Sequence, residues 1–193
     1  MKKLIPLLFM ALPSLASAHA VILQTDAESG SYYKGVIGIS HGCEGSATTK
    51  VTISIPYGVR GAKPMPKPGW KLDVVKSELE KPYQSHGKTV TEDVTQITWY
   101  GGVLEDAHYD EFAFRGQIGV GTTTRLYFPV RQECVVGELN WDQKPGDKPK
   151  GHEHHGNHGN QAGEDNHAAH GAAKLEYPAP VVRVVDGTGT HHH

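Results

Sequence analysis

The sequence has little cysteine, no surplus of positive charge and, past its first residues, no long apolar run. Only two cysteines, Cys43 and Cys134, occur among 193 residues. In an oxidising compartment an isolated pair most simply closes one disulfide, and a thiolate metal pair is the competing reading. The disulfide loop would hold about 90 residues, for which the chain-entropy account gives roughly 4–5 kcal/mol. The formal charge is −2, or −4 without Lys2 and Lys3. No basic surplus exists to neutralise phosphates, so a nucleic-acid partner is not expected. No apolar stretch reaches the roughly 20 residues that span a bilayer, so the mature form is expected to lack a membrane span. Catalytic triads, CxxC pairs and phosphate-cradling glycine loops are missing. Gly101-Gly102 reads as a turn between strands with no helix behind it.

What is there begins with an export signal. Lys2 and Lys3 form a positive start, residues 4–12 a short apolar core, and Ala16-Ser17-Ala18 a small-residue cleavage site. Residues 1–18 therefore read as a bacterial signal peptide, cut between Ala18 and His19, and the protein as periplasmic or secreted. About 175 residues remain after the cut, one domain by length and long enough to bury a core.

Strand signals dominate the rest. Short β-branched or aromatic runs cover residues 36–40, 51–55, 72–77, 94–100, 112–117, 124–130 and 181–185. Turn clusters such as Glu28-Ser29-Gly30-Ser31 and Gly119-Val120-Gly121 separate them. Short strands at this spacing predict an all-β sandwich or barrel. Residues 75–81 are the one weak helix candidate. Pro64-Met65-Pro66-Lys67-Pro68-Gly69-Trp70 reads as an extended loop ending on an aromatic anchor, because proline fixes φ and donates no ladder hydrogen bond.

Residues 144–173 change character. They are rich in Lys, Pro, Gly and Asn, with His152, His154, His155, His158, His167 and His170 and almost nothing apolar. Such a composition cannot offset its ordering entropy, so a disordered loop is expected between a body at 19–143 and a C-terminal strand of the same domain at 174–186. Clustered histidines bind Cu, Zn or Ni loosely, and capture fades in mild acid because histidine titrates near 6.5. Residues 187–193, with His191, His192 and His193, read as a native end or a tag remnant and carry no functional weight.

The cleavage position gives His19 its interest. As a first residue it offers a free α-amine and an imidazole Nδ1 that close on one metal ion. An α-amine titrates near 8, far more readily stripped of its proton than a lysine. Amine and imidazole nitrogens favour Cu(II), with Zn(II) and Ni(II) behind it. The two donors leave an open site that the fold must complete.

Several segments then converge in order from His19 to Trp141. They are His19-Ala20-Val21-Ile22-Leu23, Gly30-Ser31-Tyr32, His41-Gly42-Cys43-Glu44-Gly45-Ser46, Ile55-Pro56-Tyr57-Gly58-Val59 and Lys63-Pro64-Met65-Pro66-Lys67-Pro68-Gly69-Trp70. Trp99-Tyr100-Gly101-Gly102, Tyr109-Asp110-Glu111-Phe112, Phe128-Pro129-Val130-Arg131-Gln132-Glu133-Cys134 and the stretch from Gly137 to Trp141 follow. In these the chain resembles the YcnI-like family of exported bacterial copper-binding domains. The resemblance implies a Greek-key β-sandwich, immunoglobulin- or cupredoxin-like, that binds Cu(II) through a brace with a single histidine. His19 would give amine and imidazole, Glu111 a carboxylate, and Trp141 would lie beside the metal. Asp110 competes with Glu111, and on a strand the two point to opposite faces. His41 and His108, the candidates for a second histidine ligand, read as structural or surface residues, and His86 as an exposed loop residue.

The expected function is copper trafficking, delivery or storage without catalysis, exchanging the metal with another exported copper-handling protein. The alternatives are a copper-dependent redox enzyme with an open brace, and a zinc or copper scavenger built on the histidine loop.

Overall fold

The computed structural model describes residues 19–146 and 175–186. Residues 1–18, expected to be a signal peptide, the tail from 187 and all six histidines of the predicted loop lie outside the described residues. In chain order the strands are β1 (Val21–Ile22), β2 (Asp26–Glu28), β3 (Tyr32–Ile39), β4 (Thr48–Ser54), β5 (Val59–Pro64) and β6 (Lys71–Ser85). Then come β7 (Lys88–Leu104), β8 (Asp110–Ile118), β9 (Arg125–Tyr127), β10 (Val130–Cys134), β11 (Glu138–Trp141) and β12 (Val181–Val185). No helix occurs among the described residues, and none is long and apolar enough to cross a membrane.

Two main sheets face each other, ordered β1-β3-β8-β5 and β11-β10-β4-β7-β6. A third, β2-β12-β9, ties the C-terminal strand back to the body, β12 running parallel to β2 and antiparallel to β9. Alternation builds the core. In β3, Tyr33, Ile37 and Ile39 point inward while Tyr32 and Lys34 face water. In β8, Phe112, Phe114 and Ile118 point inward while Glu111 and Arg115 face water. Val51, Ile53, Ile97 and Trp99 answer from the second sheet with no exposed surface. Each such side chain contributes about 1.5–3 kcal/mol through burial.

Gly35 marks a tight inward position on β3. A Cβ there would stand 2.2 Å from Cζ of Phe114, so the ring occupies the space a side chain would need. Gly35→Ala is expected to destabilise the domain by about 1–3 kcal/mol, the usual cost of overpacking a filled core. A urea midpoint unchanged from wild type would contradict this packing.

Three local expectations are corrected. Residues 75–81 belong to strand β6, not a helix: Val75 to Glu78 pair with β7, and the register shifts between Glu78 and Tyr83, in a hairpin wetted on both faces. Gly101-Gly102 is not a turn: both lie inside β7, where Gly101 has φ +76° and the β4–β7 register shifts between Thr48 and Lys50. A left-handed residue of this kind forms a bulge that glycine tolerates best. Pro64 closes β5 rather than opening a loop. The rest of the proline segment runs as expected to Trp70, which packs edge-on against Phe112 at 5.0 Å.

Cys43 and Cys134 form a disulfide with an S–S distance of 2.04 Å. It fastens the β3–β4 connection to the end of β10, and the thiolate-pair alternative falls away.

Candidate metal centre

His19 enters the sandwich half-buried, followed by the buried Ala20. Its ring stands 5.7 Å from the Trp141 ring, tilted by 45°. Trp141 lies on β11 opposite Val130 and is 2% exposed. Its indole N–H donates to Gln132 Oε1 at 3.3 Å. Gln132 in turn donates to the His41 carbonyl at 2.7 Å and the Thr48 hydroxyl at 2.8 Å. With its one donor engaged inward, Trp141 offers His19 a ring surface rather than a ligand.

The strand that starts two residues after His19 brings in the carboxylate. Val21 pairs with Gly38, and Gly38 pairs on its other side with Glu111. One strand therefore separates β1 from β8, roughly 10 Å at the usual strand spacing. Gly38 carries nothing that would fill the row between them. A Cβ there would lie 2.8 Å from the Tyr109 hydroxyl, so the Tyr109 side chain lies across this glycine. That hydroxyl donates to Glu111 Oε1 at 2.9 Å. Burial, then the hydrogen bond and charge of Glu111, raise the Tyr109 phenol above its ordinary value, which keeps it a donor.

The two adjacent carboxylates are treated differently. Asp110 is ion-paired with the Lys67 ammonium and also accepts the Glu111 N–H at 2.8 Å. Lys67, from the proline segment, reaches the Glu111 carbonyl at 3.2 Å. Glu111 is exposed, and its carboxylate meets a neutral hydroxyl rather than a cation. A cation arriving here would meet an uncompensated charge at Glu111 and a neutralised one at Asp110.

The described contact of His19 is thus with Trp141, and that of Glu111 with Tyr109. No group of three or more His, Cys, Asp or Glu side chains capable of holding a metal occurs among the described residues. A single-histidine brace contains only two such side chains. Its remaining donor would be the α-amine of a chain beginning at His19, which is an amide nitrogen wherever a residue precedes His19. The amine, imidazole and carboxylate set fits Cu(II) better than other divalent ions. His41 turns Nδ1 toward the Gly42 carbonyl, His108 is exposed, and His86 sits at the β6–β7 turn with φ +48°.

Three residues escaped the sequence reading. Tyr109 was signalled by its spacing, since residues two apart on extended chain share a face. Gln132 was signalled as a polar residue at an inward position, which needs internal partners. Tyr177 carried no signal. It stacks edge-on against Trp141 at 5.3 Å. The adjacent Gln143–Pro178 bridge, with Gln143 N–H donating to the Tyr177 carbonyl at 3.0 Å, joins the chain on either side of residues 144–176.

Two facing antiparallel sheets with a bridging disulfide place the protein among the immunoglobulin-like β-sandwiches. The solved structure of an uncharacterized protein from Nocardia farcinica, described as having an immunoglobulin-like fold, is similar to it with a TM-score of 0.57. The two are 20% identical, over 86% of this chain and 97% of that one. The chain belongs to the family described as "Domain of unknown function (DUF1775)", whose model matches residues 19–184. YcnI-like proteins belong to that same domain family. No curated protein matches the chain.

Proposed function

We propose that this is an exported Cu(II)-binding protein that carries or stores copper at its processed N-terminus. His19 would hold the ion through its α-amine and imidazole, Glu111 would supply the carboxylate, and the Trp141 ring would shield the site. The row Val21–Gly38–Glu111 carries the reading, because it sets an uncompensated carboxylate one strand away from the chain start that cleavage creates. A carboxylate offsets the ion's charge where solvent is partly excluded, and an indole face tolerates a nearby cation. Bound copper would supply a reversible, nitrogen-preferring Lewis-acid centre. The protein's part is to fix the donors and to offer a site open enough for exchange with another exported copper-handling protein.

The histidine tract is the auxiliary element of the proposal. Its described flanks meet beside Trp141 through Gln143, Tyr177 and Pro178, and captured Cu, Zn or Ni would be passed on to the brace. His19→Ala is expected to remove the tight copper equivalent, whereas deletion of residues 151–170 removes only weakly held metal. Metal content after dialysis against a graded chelator series measures both. Loss of the tight equivalent on deletion instead would favour the scavenger alternative. Reductant-driven peroxide formation above that of free copper would favour the redox-enzyme alternative.

A further inference from the structure

The outer face of the β1-β3-β8-β5 sheet carries an electrostatic cost that copper binding does not explain. Arg115 on β8 pairs across to Lys34 on β3 and to Lys63 on β5. Three exposed cations therefore stand in one row on three adjacent strands. Like charges directly opposite on a sheet are destabilising, and this chain is acidic overall. Lys50, Lys67, Arg131 and Arg183 make ion pairs elsewhere.

The row borders a concave site. A cavity of about 350 Å³ lies between this sheet face and the end of the β6–β7 hairpin. Arg60, Lys63 and Arg115 line it together with Tyr32, Tyr83 and Ser85, and no Asp or Glu is among its lining residues. Both guanidinium groups are held by ring faces, Arg115 at 3.9 Å over Tyr32 and Arg60 at 4.4 Å over Tyr83. Tyr83 is itself fixed, its hydroxyl donating to Asp93 Oδ2 at 2.6 Å. That same oxygen accepts the Gly61 N–H at 2.9 Å, so the Asp93 carboxylate is engaged behind the ring. Stacking immobilises a guanidinium while leaving its N–H edge free for an oxyanion.

We propose that this pocket binds a phosphoryl group of more than one negative charge, with Arg115, Arg60 and Lys63 as its direct contacts and Lys34 adding to the field. It lies four residues along β8 from Glu111, roughly 13 Å, and the proposal stands without any metal.

The test titrates inorganic pyrophosphate into the metal-free mature protein by calorimetry, in low-salt buffer. One-to-one binding is expected, weakened about tenfold or more in Arg115→Gln and in Lys63→Gln, since each removes a charge-assisted contact. Lys50→Gln, whose ammonium is held by Glu133, is expected to bind as wild type. Thermal melts check folding, and Lys63→Gln keeps the test valid should Arg115→Gln unfold. Sedimentation with phosphatidic acid vesicles, whose phosphomonoester headgroup carries more than one negative charge, against phosphatidylcholine vesicles, separates the sources of the phosphoryl group. Arg115-dependent binding to the anionic vesicles assigns it to a lipid headgroup, and pyrophosphate binding alone assigns it to a soluble phosphate. Failure of both probes, or equal weakening by Lys50→Gln, overturns the pocket.

Discussion

Opening the Cys43–Cys134 bridge is expected to cost roughly 4–5 kcal/mol of stability, the chain-entropy value for so long a loop. The residues it joins are 91 apart in sequence, so the unlinked chain gains a large unfolded ensemble. The native state loses a local clamp as well. Cys43 follows His41, whose carbonyl receives the Gln132 amide, and Gln132 in turn receives the Trp141 indole N–H. Loosening that connection frees one side of the network that orients Trp141 against His19. Urea unfolding with and without reductant, repeated on the Cys43→Ser, Cys134→Ser variant, measures the first effect. Near-ultraviolet circular dichroism reports the second. A loss under 1 kcal/mol with an unchanged aromatic spectrum would mean that neither the unfolded loop nor the network depends on the bridge.

Glu111→Gln is expected to weaken Cu(II) binding by more than about 100-fold, beyond the 10–100-fold typical of removing a residue that only supports a ligand. Asp110→Asn should change it by less than about tenfold. Asp110 is neutralised by Lys67, whereas the Glu111 carboxylate accepts only a hydroxyl in the described contacts. Competition against a chelator of known affinity gives both values. A larger loss in Asp110→Asn would transfer the ligand role to the neighbour and undo the assignment made from the ion pair.

Much of the sandwich was legible because burial on one face writes an alternating pattern. Residues 181–185 were placed to the residue, and the central parts of β3, β4, β7 and β8 were found from their inward Ile, Val, Phe and Trp positions. The expected run over 124–130 is two strands, β9 and the start of β10, parted at Phe128-Pro129, and the other missed strands share a cause. β1 and β2 have two and three residues, β11 has four, and β5 contains a glycine and two basic residues, so none writes a periodic run. The outer half of the β6–β7 hairpin was cut short for the same reason. With water on both faces, Lys76, Glu78, Glu80 and Lys81 have no cause to alternate with apolar residues.

At the candidate site the sequence could place Asp110 and Glu111 on opposite faces but not choose between them. The choice rests on Lys67, 43 residues away, which only the fold brings to Asp110. The Lys34–Arg115–Lys63 row was hidden likewise, since its members come from three strands and no segment looks basic on its own. The proposed brace differs, because its amine would be created by processing, and the cleavage motif is the sequence signal on which that proposal rests.

That dependence on processing gives the most direct test. Cu(II) is titrated into the mature protein beginning at His19, and into a form with one extra residue before it, and both are followed by electron paramagnetic resonance. The account predicts one tight, nitrogen-rich site in the mature form that disappears in the extended form, where the α-amine has become an amide. Identical spectra and stoichiometry in the two forms would contradict it and move copper binding away from His19.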